Sequence, residues 1–195
     1  STYKQSKFEA EKLVRTYRNK IPIDIFRPAI VIGESKTGKI NEFKNIYQFI
    51  QLCSLEIFDS FPILNGHISI VFIDDCAKAI YLISQNYRKN NNTYHIFPNG
   101  SISLGKFVKF SSKFIGFKKP KIVSLDDFDL NKSTPVQKKI LRNNVLVLNI
   151  WVKFNSKLTE SILNKYNFKF RKFNKNAAAK FLHFFTQNKK IYSKF

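Results

Sequence analysis

Tyr3 and Lys7 stand four residues apart near the start of the chain, a spacing that makes them neighbours on one face of a helix. That pairing has a chemical use. A phenol ionises near pH ~10 and is a poor proton donor at neutral pH. An ammonium beside it favours the phenolate and draws its pKa toward the working range. The same ammonium carries three protons and can also donate to a cofactor hydroxyl. Alone, the pair is weak, since Tyr and Lys are common here. A second pattern is Gly33-x-x-x-x-Gly38-Lys39, which follows a β-branched run and nearly matches a phosphate-cradling loop. Asp74-Asp75, behind the apolar run 68–73, would be its acidic partner. Two residues count against a nucleotide hydrolase. Ile40 stands where a Mg²⁺-ligating hydroxyl belongs, and Pro28 would remove a donor from the supposed central strand. His67, His95 and His183 lack ligand spacing, so no metal site is expected. Asp126, Asp127 and Asp129 read as a solvated loop.

The elements that must position these residues follow from periodicity. An amphipathic helix is expected over 3–19, with Phe8, Leu13, Val14 and Tyr17 apolar among charges. A strand over 21–32 should end in the loop 33–38, followed by a helix over 42–52. A short strand over 68–73 leads to a helix over 76–84 that Asp74 or Asp75 is placed to cap. A strand over 93–97 and a helix over 103–117, closed by Gly116, come next. Residues 122–125 form a possible strand, and helices are expected over 136–141, 157–166 and 177–187. In the last, Ala178, Leu182 and Phe185 share a stripe that Phe181 and Phe184 widen. Core packing explains that stripe more simply than a membrane surface does.

Composition narrows the class further. Of 195 residues, 44% are hydrophobic, enough for a real core. The formal net charge of +21 is unevenly spread, with residues 1–85 at +2, residues 86–195 at +19, and no acid among the last 35. Lys outnumbers Arg 28 to 6, and Arg is the side chain suited to bidentate phosphate and base recognition. Specific nucleic-acid binding is therefore not expected, and a basic interaction module is the alternative to an enzyme. Cys53 and Cys76 have no partner spacing and read as buried free thiols. No apolar run reaches the ~18 residues that span a bilayer, and the N-terminus is no signal peptide, so a cytoplasmic protein is expected. The chain begins at Ser1 and contains no methionine, which suggests a processed, trimmed or fragmentary sequence.

Three blocks, read together, are more specific than any one of them. Tyr3-x-x-Ser6-Lys7-x-x-Ala10-Glu11-x-x-Val14 resembles the catalytic helix of extended short-chain dehydrogenases/reductases. Phe26-Arg27-Pro28-Ala29-Ile30-Val31-Ile32-Gly33 resembles that family's next strand, and Val71-Phe72-Ile73-Asp74-Asp75-Cys76-Ala77-Lys78-Ala79-Ile80 its V-x-V-D-D-V-A-x-A-I block. The loop Glu34-Ser35-Lys36-Thr37-Gly38 is most similar to that of thioester reductases and fatty acyl-CoA reductases, the male-sterility-type group. The resemblance implies an α/β fold: the C-terminal part of a Rossmann-type doubly wound sheet plus a smaller, largely helical substrate-side region. It divides the chain into residues 1–125, the C-terminal half of the reductase domain, and a basic helical region over 126–195. It also implies NADP or NAD as cofactor and reduction of a carbonyl or a carrier-bound acyl thioester. Tyr3 would donate the proton, and Lys7 would lower its pKa and hold the nicotinamide ribose. Pro28, Ala29, Ile30 and Val31 would line the nicotinamide ring. The six glycines contain no T-G-x-x-G-x-x-G turn, so the pyrophosphate site expected of the family is missing from this sequence. A missing N-terminal Rossmann half is the implied partner, and the isolated chain is expected to be inactive.

Overall fold

The computed structural model describes residues 2–62, 67–85, 91–124, 126–139, 141 and 155–188, and of residues 2–4 the backbone alone. The chain opens with helix α1, Thr2–Thr16. The extended run that follows is broken at Ala29 into β1, Ile25–Pro28, and β2, Ile30–Ile32. Helix α2 spans Ile46–Ser54, starting four residues later than the periodicity suggested. Strands β3 (Ser60–Pro62), β4 (His67–Ile68) and β5 (Ile70–Phe72) precede α3, Ile73–Ser84. Then come β6 (Thr93–Ile96), β7 (Ile102–Ser103), α4 (Leu104–Ile115) and β8 (Lys121–Val123). Residues 135–139 are helical, and helices α5 (Lys157–Asn164) and α6 (Lys175–Asn188) complete the described fold. Gly116 ends α4 as its sequence position predicted. It takes φ of 89° and donates its N–H to the Ser112 carbonyl at 2.8 Å, a conformation glycine adopts without a Cβ penalty.

Among the described residues, pairing is parallel for β1 with β6, β2 with β5 and β3 with β8, and antiparallel for β4 with β7. The neighbours of the β1–β2 run lie on opposite edges. Ile25 and Ala29 donate their N–H groups to Asn92 and Ile96 beside β6, whereas Ile30 donates to Ser69 beside β5. Successive N–H groups of a strand point to opposite sides, so odd residues face β6 and even residues face β5. Parallel strands joined by helices make this an α/β architecture.

Two cores hold the layers. Tyr94 and Ile96 of β6 pack with Ala79 and Ile83 of α3 and with Ile162 and Leu163 of α5. Phe26 stacks on Tyr94 with ring centroids 5.4 Å apart, which extends this face to β1. The larger core joins Ile32, α2, α4 and α6. Its centre is Tyr47, whose ring lies 4.5 Å from that of Phe181. In α6, Phe181, Leu182 and Phe185 are 1%, 0% and 2% exposed, so the expected core packing holds and the stripe offers nothing to a bilayer. Among the described residues no helix is long and apolar enough to cross a membrane. Both cysteines are free and buried, as expected.

One expectation is corrected. Neither Asp74 nor Asp75 occupies the cap of α3. The N-cap is Phe72, in extended conformation and without a side-chain bond, and both aspartates lie in the first turn. There the partial positive charge of the helix end suits them, but their side chains are used elsewhere.

Candidate active site

Helix α1 is tied to the sheet by polar side chains. Glu11 accepts from both Arg27 and Arg15, at 2.6 Å and 2.7 Å, and Arg15 reaches Thr93 Oγ1 at 3.0 Å. Arg18, further along, reaches the Asn92 carbonyl. These contacts fix a direction. Thr93 pairs with Ile25 in the register of β1 and β6. Moving along α1 from Glu11 to Arg15 therefore moves backward along β1, from Arg27 toward Ile25, and helix and strand run antiparallel. Lys7 lies four residues before Glu11, or ~6 Å along the helix. That places it about level with Ala29, two residues (~6.6 Å) beyond Arg27. The N-terminal turn of α1 thus lies alongside the junction of β1 and β2, in the direction of the C-terminal end of the run, and open α/β sheets bind ligands at that end of their strands. The Glu11 carboxyl is held below its ordinary pKa chiefly by the hydrogen bond from Arg27, against slight burial and helped by Arg15.

Lys7 is exposed. Tyr3 lies in the first turn of α1, with its side chain outside the described residues. Pro28 ends β1 and is exposed, while Ala29, Ile30 and Val31 are half-buried. Ala29 and Val31 lean on the β6 core and Ile30 on the larger one. Val31 also lines an open cleft of about 870 Å³, together with Glu34, Lys39, Tyr47 and Asp74. Of the sequence-derived site residues, Val31 is the one that lines this cleft.

The loop 33–39 is poorly suited to cradle a phosphate, because the N–H groups of Gly33, Glu34, Ser35, Gly38 and Lys39 are committed within the protein. Gly33 N–H donates to Tyr47 Oη at 2.9 Å, Glu34 to the Lys39 carbonyl at 2.9 Å and Ser35 to Asp74 Oδ1 at 3.0 Å. Gly38 N–H donates to the Glu34 carbonyl at 2.7 Å and Lys39 N–H to Thr37 Oγ1 at 3.1 Å. Nor does a helix begin at Lys39, since α2 starts at Ile46. A phosphate loop needs free N–H groups at a helix start, and the nucleotide hydrolase reading fails on that ground.

Sequence reasoning missed what anchors this loop. Arg171, from the segment between α5 and α6, bonds Asp74 and Ser35 Oγ, and its guanidinium stands 3.2 Å from Asp75 Oδ1. Its backbone N–H donates to Asp75 Oδ2 at 2.8 Å, and Ser35 Oγ donates to Asp74 Oδ2 at 2.6 Å. The two carboxylates respond differently. Burial would raise the pKa of Asp74, but the bonds from Ser35 and Arg171 outweigh it and hold the carboxyl below its ordinary value. Asp75 is 2% exposed. Burial pushes its carboxyl up despite Arg171. A partner 96 positions away leaves no local signal in sequence.

The fold is a Rossmann-type α/β fold, shared with the solved structures named below. Residues 1–80 match the NAD-binding family model described as male sterility protein, the group that the three sequence blocks resemble. The terminal R domain from the myxalamid PKS-NRPS biosynthetic pathway superposes with a TM-score of 0.76 at 20% identity, covering 97% of this chain and 50% of that one. A thiolation-reductase di-domain from an archaeal non-ribosomal peptide synthetase gives 0.73 at 16% identity, covering 95% and 40%. dTDP-glucose 4,6-dehydratase from Bacillus anthracis str. Ames, solved with NAD, gives 0.61 at 15% identity, covering 97% and 53%. The chain spans about half the length of these solved structures. No curated protein sequence matches it.

Proposed function

We propose that this chain is the catalytic-helix half of an NAD(P)-dependent reductase acting on a carbonyl or a carrier-bound acyl thioester. The observation that supports the reading is the antiparallel docking of α1 on β1 through Glu11 and Arg27, from which the helix and strand rises would bring Lys7 about level with Ala29. In this reading Tyr3 protonates the carbonyl oxygen of the substrate. Lys7, one turn along α1, keeps that phenol acidic enough to serve and donates to the nicotinamide ribose. Pro28, Ala29, Ile30 and Val31 form the wall against which the nicotinamide would rest. The bound cofactor would supply the hydride. Only the nicotinamide side of its site fits the residues present, because the chain has no glycine-rich pyrophosphate turn. Support for a thioester substrate is the loop 33–38 together with the likeness to two reductase domains of carrier-linked synthetases.

The test compares two proteins, the 195-residue chain alone and the same chain preceded by a glycine-rich nucleotide-binding half. NADPH binding by fluorescence and NADPH oxidation with an acyl-CoA thioester are measured for both. Binding and turnover are expected only for the longer protein. Turnover by the 195 residues alone, or none by a folded longer protein that binds NADPH across a panel of thioesters, aldehydes and ketones, overturns the reading.

A further inference from the structure

The basic charge of the second half has no part in the proposed reaction, and helix α4 gathers some of it on one face. Lys106, Lys109 and Lys113 lie within an arc of roughly 60° and about 10 Å of helix length. All three are exposed, and among the described residues none is ion-paired. The next positions round the helix are Phe110 and Phe114. Phe110 is half-buried against the larger core, and Phe114, 40% exposed, stacks on it with ring centroids 6.3 Å apart. Lys119 is exposed just beyond the Gly116 stop. Acids are missing from this surface. Residues 76–125 contain nine Lys or Arg and no Asp or Glu, and α2 and α6, the helices that α4 packs against, contain none either. Glu56 and Asp59, past the end of α2, are engaged by Lys118. A merely solvated face intersperses both signs.

We infer that this face of α4 docks on an anionic lipid bilayer, with the lysines against the headgroups and Phe114 reaching the boundary with the acyl chains. Charge complementarity selects the partner, since an unneutralised cationic face fits an anionic leaflet. Each lysine near such a surface is worth about a fivefold gain in partitioning. An exposed phenylalanine beside the lysines supplies the apolar contact that interfacial attachment uses. Shape points the same way. The lysines stand on the outer side of a helix, and none of these residues lines either described cleft. A single-stranded nucleic acid lies in a groove and needs free ring faces for its bases, whereas Phe110 already covers one face of Phe114. The cations are all lysine, not the arginine that grips phosphates and bases bidentately. Leu104, Phe107 and Val108, on the opposite side of α4, are buried in the larger core, so the attachment is peripheral and the helix sinks no deeper.

The inference is independent of the reductase reading, so an inactive protein would leave it standing. Its test is sedimentation of the 195-residue chain with phosphatidylcholine vesicles, with and without phosphatidylserine. Binding is expected only with phosphatidylserine, and it should weaken but persist at ~150 mM salt, where charges are screened beyond ~8 Å. Lys106→Gln, Lys109→Gln and Lys113→Gln together are expected to cut partitioning on the order of 100-fold. Phe114→Ser is expected to cut it several-fold without changing its salt dependence. The control carries Lys157→Gln, Lys165→Gln and Lys169→Gln, which alter charge equally beside the smaller core, and a far smaller loss is expected from it. The three α4 lysines are exposed, so their variant should melt with the parent. If it melts early, Lys109→Gln alone serves, with an expected loss of about fivefold. Three results overturn the inference: no sedimentation with phosphatidylserine vesicles at ~150 mM salt, equal losses from the two triple variants, or tighter binding to RNA than to those vesicles at that salt.

Discussion

Helices α1 and α6 were written with the same pattern and have met different fates. Both are amphipathic, and both set apolar side chains three and four residues apart. In α6 that face is closed, with Leu182 fully buried and Phe181 against Tyr47. In α1, Phe8 and Leu13 are 62% and 61% exposed, and polar side chains do the anchoring. The contrast separates a finished part of the molecule from an open one. On the C-terminal side α6 is packed into the larger core and α5 into the smaller one, while the described side chains of α1 are mostly exposed.

The comparison can be broken most directly by truncating each stripe. Phe181→Ala is expected to cost about 4 kcal/mol and Leu13→Ala less than about 0.5 kcal/mol, read from denaturant midpoints of the 195-residue chain. Similar costs at the two sites would erase the distinction. Gly38→Ala probes how tightly the loop meets α6. Gly38 has φ of 76°, and a Cβ there would stand 2.5 Å from the Lys180 carbonyl oxygen. A loss of about 3 kcal/mol is expected, because the strain and the clash both fall on backbone. A neutral substitution would mean the loop is not held against the helix.

Arg171→Ala comes next, at about 2 kcal/mol near neutral pH, since it leaves the buried Asp75 carboxylate without its cation while the half-exposed arginine is partly screened. The pH dependence has a definite sign. Burial raises the folded pKa of Asp75, and losing Arg171 raises it further, so the variant's deficit should shrink as acid protonates that carboxyl. Thermal melts of both proteins across the acid range would show it, and a deficit independent of pH would contradict it. Asp74 has the opposite sign. Its folded pKa is depressed, so its contribution is present above the ordinary carboxylate pKa and is lost as pH falls through the depressed value. Glu11→Gln should cost less than Arg171→Ala, about 1 kcal/mol or less, because the carboxylate is paired near the surface. Exchange in the amides of α1 should rise more than global stability falls, which marks Glu11 as the local tether.

Much of this was legible in the sequence, for reasons that can be named. The helix over 104–115 and its Gly116 stop, the stripe of α6 and the strand at 93–96 follow from local periodicity and turn chemistry. The strand at Ser60–Pro62 escaped notice because three residues carry no period, and only its pairing with Lys121–Val123 defines it. Ile73 looked like the end of a strand and is the first residue of a helix. The clamps Glu11–Arg27 and Asp75–Arg171 join residues 16 and 96 positions apart, and no spacing rule reaches that far. The sequence did supply the pair Tyr3 and Lys7. What it could not supply is the direction of α1 along β1, which only the contacts of Glu11 with Arg27 and of Arg15 with Thr93 reveal.

The central claim is that α1 is the catalytic helix of a reductase, and the pH–rate profile of Tyr3→Phe and Lys7→Met tests it most directly. The measurement is NADPH oxidation with an acyl-CoA thioester by the chain preceded by a glycine-rich nucleotide-binding half. Tyr3→Phe is expected to lower kcat on the order of 100-fold or more, the contribution of a positioned proton donor. Lys7→Met is expected to move the limb of the profile set by the phenol toward higher pH, because that phenol loses its cation. A folded, cofactor-binding Tyr3→Phe protein with undiminished kcat would contradict the account.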